Sequence, residues 1–191
     1  MLQKRLKEAF KSGFQVSEST KKHKAEAPKK LKFGIFICST SRYQESKKGK
    51  HVEDVSGDLI ESLLKNVGHI VSFRKIIPDD KSSIEKGIRY ALDSADVDAV
   101  VLCGGTGIAP SDVTIETVSP FFEKVLPGFG EIFRRLSYDK IGSAAVLSRA
   151  IAGVTKGKAF FCIPGSPDAV KLCFEKLILP ETGHIIRHAR E

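Results

Sequence analysis

Four short apolar runs stand out in the pattern of hydrophobic and polar positions along the chain. Runs of this length, rich in β-branched or aromatic residues and bounded by charged residues, glycine or proline, are typical of strands in a sheet. The second run alternates before it becomes apolar, and the third leads directly into a glycine-rich loop. The predicted strands are Lys32–Cys38, His69–Ile77, Asp98–Cys103 and Lys158–Ile163.

Helical periodicity fills most of the intervals between these strands. Apolar residues recur at helical spacing from Val55 to Val67 and again beyond Ser82. Ser82 and Glu85 match a capping box, which predicts that the second of these helices begins after Ser82. One further helix is predicted after Asp112, with an interruption at Pro120, and another starts at Pro127. A third runs from Pro167, behind a Ser166 cap, to a break at Pro180. The last predicted helix spans His184–Arg190.

Strands that alternate with helices at these lengths predict an α/β fold, a three-layer α/β/α sandwich with a mostly parallel central sheet. Residues 39–54 are predicted as a loop, and residues 141–157 are small and irregular. Residues 1–30 are predicted as a basic N-terminal extension before one domain, residues 31–191. Within that extension, residues 2–14 show the apolar spacing of a short amphipathic helix, and residues 17–30 have the composition of a linker.

The net charge of +8 raises the question of nucleic-acid binding, and its distribution argues against it. Residues 1–32 carry ten Lys/Arg against three Glu, whereas the rest carries 21 Lys/Arg against 20 Asp/Glu. The basic character therefore belongs to the extension, where a solvated arm is the commoner role. Four widely spaced cysteines without a Cys-x-x-Cys pair favour reduced thiols and a cytoplasmic protein. No apolar run approaches the ~20 residues that span a membrane.

A polar or glycine-rich segment follows each of the four predicted strands. Ligands of parallel α/β sheets bind beyond the carboxyl ends of the strands, so these segments are the candidate site. Glycine allows the backbone to approach a ligand closely, and a strand, glycine loop and helix start in that order favour phosphate. The segments are Ser39-Thr40-Ser41-Arg42, Pro78-Asp79-Asp80, Gly104-Gly105-Thr106-Gly107 and Pro164-Gly165-Ser166.

Two carboxylates at neighbouring strand exits, Asp79 and Asp112, could hold Mg²⁺ together with substrate phosphates. Asp112 could equally cap the helix that follows it, and Asp79 could serve a turn after Pro78. Ser148 and Arg149 lie in a segment of small residues, where the arginine suits phosphate binding or a surface salt bridge.

The i, i+4 pair His184 and His188 has no third ligand motif near it in the sequence, and packing or exposure is the better interpretation. The cysteines lack a neighbouring histidine, which argues against a thiol enzyme.

The linked motifs resemble the MoaB/Mog family of molybdenum-cofactor biosynthesis, and the MoaB branch most closely. Their order and spacing match that family from about residue 31 to residue 188. The segments that carry the resemblance are Gly104-Gly105-Thr106-Gly107-Ile108-Ala109-Pro110-Ser111-Asp112-Val113-Thr114-Ile115-Glu116, Leu126-Pro127-Gly128-Phe129-Gly130-Glu131, Leu147-Ser148-Arg149-Ala150 and Pro164-Gly165-Ser166-Pro167-Asp168-Ala169-Val170.

The resemblance implies a trimer-forming domain that binds molybdopterin and transfers AMP to its terminal phosphate from Mg-ATP. The product would pass to a MoeA-type partner that inserts molybdate or tungstate, and the open alternative is a pterin-binding scaffold without catalysis. Catalytic roles fall on Asp79, Asp112 and Ser148, with Mg²⁺ on the two carboxylates. The residues expected to bind pterin or nucleotide are Thr40, Ser41, Gly104, Gly105, Thr106, Gly107, Ser137, Arg149, Pro164, Gly165 and Ser166.

Two positions depart from the family pattern. Ser111 stands where the family usually has Arg before the second carboxylate, which removes a positive charge near the phosphates. Cys103 stands where Thr or Ser usually precedes the first glycine, a smaller change.

Overall fold

A computed structural model describes residues 26–191. The amphipathic helix predicted within residues 2–14, and most of the predicted linker, lie outside the described residues. Within the described part, no helix combines the length and the apolar character that crossing a membrane requires.

The centre of the molecule is a sheet of six strands, β1 Lys32–Cys38, β2 Ile70–Ile77, β3 Ala99–Cys103, β4 Lys124–Val125, β5 Ile151–Thr155 and β6 Lys158–Ile163. The strands lie in the order β2-β1-β3-β6-β5-β4. The four predicted strands are present as β1, β2, β3 and β6, and they run parallel to one another. Two strands that the sequence did not predict extend the sheet antiparallel at the β6 side.

Helices cover both faces of this sheet and confirm the predicted three-layer arrangement. They are α1 Thr40–Lys47, α2 Val55–Asn66, α3 Lys81–Asp93, α4 Thr114–Val118, α5 Pro127–Ile141, α6 Pro167–Cys173 and α7 Leu179–Ala189. Short 3₁₀ segments span Ser119–Phe121 and Gly142–Leu147, and one π-helical segment, Phe174–Ile178, joins α6 to α7.

Two hydrophobic cores lie on opposite faces of the sheet. Alternate residues of β1 divide between them, because successive side chains of a strand point to opposite faces. Phe33, Ile35 and Ile37 join the core beneath α2, α5 and α6, whereas Phe36 joins the core beneath α3 and α4. The near-continuous apolar runs seen in the sequence therefore reflect strands buried on both faces.

Strand β5 was missed because Ala152 and Gly153 interrupt its β-branched residues. Gly153 lies under the ring of Phe122, which would collide with any Cβ at that position. The hairpin from β5 to β6 turns through Lys156 and Gly157, with φ of 48° and 69°. Positive φ at both turn residues suits a tight two-residue hairpin. A lysine at the first turn position is not a residue from which such a turn is predicted.

Two helix starts differ from the prediction. Helix α1 occupies residues predicted as a loop. Its sequence shows no helical spacing of apolar residues, because none of its residues is buried. Helix α3 begins at Lys81, since Asp80 caps it by accepting hydrogen bonds from the Ser83 backbone N–H at 2.9 Å and hydroxyl at 2.8 Å. The predicted start after Ser82 was therefore wrong.

The prediction of a helix break at Pro180 was also wrong. Pro180 occupies the first turn of α7, directly after the π-helical segment, so the helical path continues from α6 to Ala189. A proline is tolerated in a first turn, where its missing N–H costs little. The interruption at Pro120 and the starts at Pro127 and Pro167 are confirmed.

His69 makes one contact that should render stability pH-dependent. Its Nδ1 accepts the Leu31 backbone N–H at 3.3 Å, and burial lowers the pKa of the imidazole. A histidine whose folded-state pKa is depressed stabilises the fold above its unfolded pKa, about 6.5, and loses that contribution as the pH falls. We expect the melting temperature of wild type to drop more than that of His69→Gln between pH 7.5 and pH 5, as measured by circular dichroism. Equal drops in both proteins would contradict this assignment.

Candidate active site

The four parallel strands all end at the same edge of the sheet. Cys38 lies beside Ile77, Ile37 beside Cys103, and Cys103 beside Ile163. After β1 the chain adds β2 on one side, then returns to add β3 on the other side of β1. Such a reversal opens a crevice between β1 and β3, which is where open α/β sheets bind ligands.

The glycine loop after β3 fits tightly into this crevice. Gly104 and Gly105 have φ of 107° and 61°, the left-handed region that favours glycine. A Cβ on Gly104 would collide with the carbonyl oxygen of Cys38, and a Cβ on Gly105 would collide with the carboxylate of Asp79. Gly165 also packs closely on Gly104, since a Cβ on Gly165 would lie 3.4 Å from the Gly104 Cα.

Asp79 is held by groups from two other segments. Its backbone N–H donates to Thr40 Oγ1 at 3.0 Å, and its carboxylate accepts from the Thr114 hydroxyl at 3.5 Å and from the Val113 backbone N–H. Burial raises the pKa of Asp79 above its ordinary value, and the negative charge of Asp112 raises it further. The carboxylate thus occupies the start of α4 itself, a position that the sequence suggested for a phosphate.

Asp112 closes the glycine loop rather than capping a helix. Its Oδ2 accepts the Ala109 backbone N–H at 2.9 Å, while its own N–H donates to the Ala109 carbonyl at 2.8 Å. Helix α4 begins two residues later, with no side chain capping it. The alternative interpretation of Asp112 as a helix cap was therefore wrong. A Cβ on Gly107 would lie 2.6 Å from the Asp112 carboxylate, so the glycine leaves room for it.

The strands that carry the two carboxylates are not neighbours in the sheet. The expectation of neighbouring exits was wrong, because β1 lies between β2 and β3. Asp79 and Asp112 nevertheless interact, since the loops beyond β2 and β3 bend over the end of β1.

Carboxylate oxygens suit Mg²⁺, and a bound cation would relieve the charge repulsion between Asp79 and Asp112. Among residues 26–191, no cluster of three or more His, Cys, Asp or Glu side chains could hold a metal by itself. The pair therefore fits a magnesium ion that also uses substrate phosphates.

A second depression lies beside the end of β6. It has a volume of about 210 Å³ and brings together four residues expected from the sequence, Ser137, Ser148, Pro164 and Ser166. Ser137 is buried and donates to the Phe133 carbonyl at 2.8 Å, whereas Ser166 caps α6. The other lining residues are Phe133, Lys140, Ile141, Asp168, Ala169 and Leu172. We call this depression the serine pocket.

Arg149 does not line the serine pocket. It forms an ion pair with Glu116, with Nη2 2.5 Å from Oε1, and lines a separate cavity of about 350 Å³ with Arg134 and Glu131. Burial would raise the pKa of Glu116, but the hydrogen bond and charge of Arg149 lower it overall. Ser148 and Arg149 therefore line different cavities of the chain. Phosphate binding by Arg149 stays a prediction.

Other predicted groups have defined surroundings. Ser41 Oγ lies 3.3 Å from Ser39 Oγ at the start of α1, and Thr106 is buried. The thiols of Cys38 and Cys103 are buried, which raises the pKa of each to about 12 and keeps them protonated near neutral pH. Protonated thiols are poor nucleophiles.

Sequence reasoning missed the residues at the start of α2. Asp54 is buried, caps this helix at the Gly57 N–H, and pairs with Arg74 from β2 and with Arg42, whose Nη1 lies 3.7 Å away. Two residues on, the Ser56 hydroxyl donates to the Gly165 carbonyl at 2.7 Å. The start of α2 therefore ties the exits of β1 and β6 together. The available signal was Asp54, a residue type favoured at N-caps, directly before the helical pattern that begins at Val55.

Comparison with known proteins identifies the family. A family model described as a probable molybdopterin binding domain matches residues 34–184. The chain belongs to this family.

Relatives in the family are similar over nearly their whole length. The chain is 45% identical to molybdenum cofactor biosynthesis protein B of Bacillus subtilis over 174 residues, which cover 91% of this chain and 98% of the relative. It is 44% identical to a molybdopterin adenylyltransferase of Pyrococcus furiosus over 173 residues, covering 88% and 97%.

The crystal structure of the tungsten cofactor synthesizing protein MoaB from Pyrococcus furiosus superposes with a TM-score of 0.74 at 42% identity. The superposition covers 86% of this chain and all of the other. Membership of the molybdopterin-binding family and the three-layer fold are thus established.

Gly105 offers a test of how tightly Asp79 is positioned. We expect Gly105→Ala to lower catalytic activity by more than about tenfold, because the new methyl group displaces the Asp79 carboxylate, and misplacement by about 1 Å can cost 10²-fold. Gly49→Ala is the matched control, since Gly49 has a similar φ of 70° and open space around its Cβ position. It should share the backbone strain of ~1 kcal/mol and keep full activity. Equal activity in both variants would contradict the role assigned to Gly105.

Proposed function

We propose that this protein adenylylates molybdopterin with Mg-ATP, as a step in molybdenum or tungsten cofactor biosynthesis. The observation that carries the proposal is the meeting of Asp79, Asp112 and the glycine loop at the crevice between β1 and β3. The archaeal relatives named molybdopterin adenylyltransferases support the reaction class.

The chemistry requires alignment and charge neutralisation rather than a protein nucleophile. A terminal phosphate oxygen of molybdopterin attacks the α-phosphorus of ATP, a new P–O–P bond forms, and the bond to the β-phosphate oxygen breaks to release pyrophosphate. Both reactants are anions, so their repulsion and orientation form most of the barrier. The absence of an activated thiol at Cys38 and Cys103 agrees with this mechanism.

Each part of the site has a distinct role in this proposal. Asp79 and Asp112 would hold Mg²⁺, which would supply positive charge against the ATP phosphates when bound. Other backbone amides of the glycine loop would bind phosphate oxygens, because glycine allows close approach of the backbone. The Gly104 amide is not among them, since it donates to the Ile163 carbonyl at 3.0 Å. The serine pocket beside β6 receives the pterin, with Ser148 and Ser166 as polar contacts. The tie from Ser56 to Gly165 keeps the pocket and the glycine loop in register.

Arg42 supplies a positive charge that compensates for Ser111. Asp54 fixes the Arg42 guanidinium near the end of β1. From there its positive charge acts electrostatically on the Cys103 thiol at the end of β3. The side chain remains about one-third exposed, so a phosphate in the crevice can still meet it.

Exposed apolar residues beside the serine pocket support assembly into a homotrimer or a larger oligomer. Tyr138, Ile141, Val146 and Leu147 are each more than half exposed on α5 and the 3₁₀ segment after it. Contiguous apolar surface of this kind marks interaction sites. The product would be passed to a MoeA-type protein that inserts the metal. Free, buried cysteines agree with a cytoplasmic location.

The direct test is incubation of the purified protein with molybdopterin, ATP and MgCl₂. Adenylylated pterin and pyrophosphate should appear together in equal amounts, as resolved by chromatography. A protein that binds the pterin but forms neither product, beside an active control enzyme, is a carrier, and the catalytic proposal is then wrong.

A further inference from the structure

The described chain before β1 follows helix α7 toward its C-terminal end. Lys29 lies near Pro180 at the start of α7, and Pro28 packs on Gly183, with its carbonyl oxygen 2.9 Å from the position a Cβ would take. Glu26 then pairs with Arg187, with 2.6 Å between the carboxylate and guanidinium. The chain that leads back to residue 25 is therefore directed at the end of α7.

A groove opens at that same end of α7. It has a volume of about 450 Å³ and lies between α7 and the edge of the sheet formed by β4 and β5. Its apolar lining comes from Leu126, Val154, Ile185 and Ala189, and its polar lining from Glu123, Lys124, His184, His188 and Glu191. We call it the α7 groove. None of the site residues described above lines it, so the proposed reaction does not account for it.

Residues 2–14 of this chain match the groove in chemistry. At helical spacing, Leu2, Leu6, Ala9, Phe10 and Phe14 form one apolar face. The other face carries Lys4, Arg5, Lys7 and Lys11 against a single acidic residue, Glu8. The apolar face suits the groove lining, and the basic face suits the carboxylate of Glu123. The other carboxylate, Glu191, already pairs with Arg187 and His188.

The connecting segment is long enough for docking within one chain. Residues 15–25 can span up to ~35 Å when extended, at ~3.3 Å per residue. A helix over residues 2–14 is ~20 Å long, at 1.5 Å per residue. Glu26 is already bound to Arg187 beside the groove, so only part of that reach is needed.

We propose that residues 2–14 dock as an amphipathic helix in the α7 groove of their own chain. The extension is then a built-in part of the domain surface, covering the β4 edge of the sheet and the C-terminal end of α7. Its basic residues then lie along the polar rim of the groove, beside Glu123.

The absence of tryptophan from the sequence allows a clean test in the full-length protein. Phe10→Trp introduces a single tryptophan on the apolar face, and Phe14→Trp is a second, independent reporter. We expect emission at shorter wavelength than in denaturant for both, because the indole is buried in the groove. Adding Ala189→Glu or Glu123→Lys should shift the emission toward that of exposed tryptophan, whereas Ala95→Glu, on an exposed turn after α3, should leave it unchanged.

Circular dichroism melting should confirm that each of these variants is folded. Emission typical of exposed tryptophan in both reporters, with the groove intact, would overturn the proposal. Docking on a second copy is detected by mixing Phe10→Trp/Ala189→Glu protein with wild-type protein, which has no tryptophan. Recovery of buried emission in that mixture would show that the segment occupies another chain's groove, and would also overturn docking within one chain.

Discussion

We expect the Asp112→Asn variant to lose on the order of 10²–10³-fold in kcat for adenylyl transfer, the range typical when a group that stabilises transition-state charge is removed. The amide still has an oxygen that can accept the Ala109 N–H, so the loop should keep its shape. What disappears is the negative charge that would help to hold Mg²⁺ against the phosphates. Steady-state assays of pyrophosphate release over a range of MgCl₂ concentrations measure this effect.

Asp139→Asn is the matched control for that variant. Asp139 is exposed on α5 and pairs with Arg135 on the same helix. It has no role in the proposed site. It should keep wild-type kcat, since an exposed pair on one helix contributes a few tenths of a kcal/mol. Asp79→Asn should behave like Asp112→Asn. Full activity in both site variants would remove the carboxylate pair from the mechanism.

The largest effect on stability should come from Asp54→Ala. Asp54 is buried, and its loss leaves the Arg74 guanidinium short of its main partner and the start of α2 without its cap. Breaking a buried ion pair from one side costs about 3–5 kcal/mol, and Arg74 retains Asp58, so we expect about 3 kcal/mol. Urea unfolding followed by circular dichroism gives this free energy directly.

Asp58→Ala separates burial from charge. It removes a carboxylate 2.6 Å from the same Arg74 guanidinium, but the Asp58 side chain is 71% exposed. Its cost should stay below about 1 kcal/mol, because water competes for exposed pairs. If both variants lose the same free energy of unfolding, the buried network around Asp54 does not hold the start of α2.

The buried strands and the location of the site were predictable from the sequence because each had a strong local signal. Strands β1, β3 and β6 are apolar on both faces, and glycine, proline or hydroxyl residues mark where they end. A parallel sheet brings such exits to one edge, so Asp79 and the glycine loop could be placed together without coordinates.

What failed to show in the sequence depends on partners distant along the chain. Strand β5 needs Gly153 so that Phe122 can pack on it, and α1 buries nothing that would produce a period. The roles of Asp54 and Ser56 appear only when Arg74 and Gly165, from other elements, are beside them. The separation of Arg149 from Ser148 likewise reflects its pairing with Glu116, which a linear motif does not reveal.

The most direct test follows labelled phosphorus from ATP through the reaction. With molybdopterin, MgCl₂ and ATP labelled at the α-phosphate, the label should move to the pterin, whereas label at the γ-phosphate should leave as pyrophosphate. Both transfers should be lost together in Asp112→Asn. Appearance of the γ-label on the pterin, or α-label transfer at the wild-type rate in Asp112→Asn, would contradict adenylyl transfer at the site formed by Asp79, Asp112 and the glycine loop.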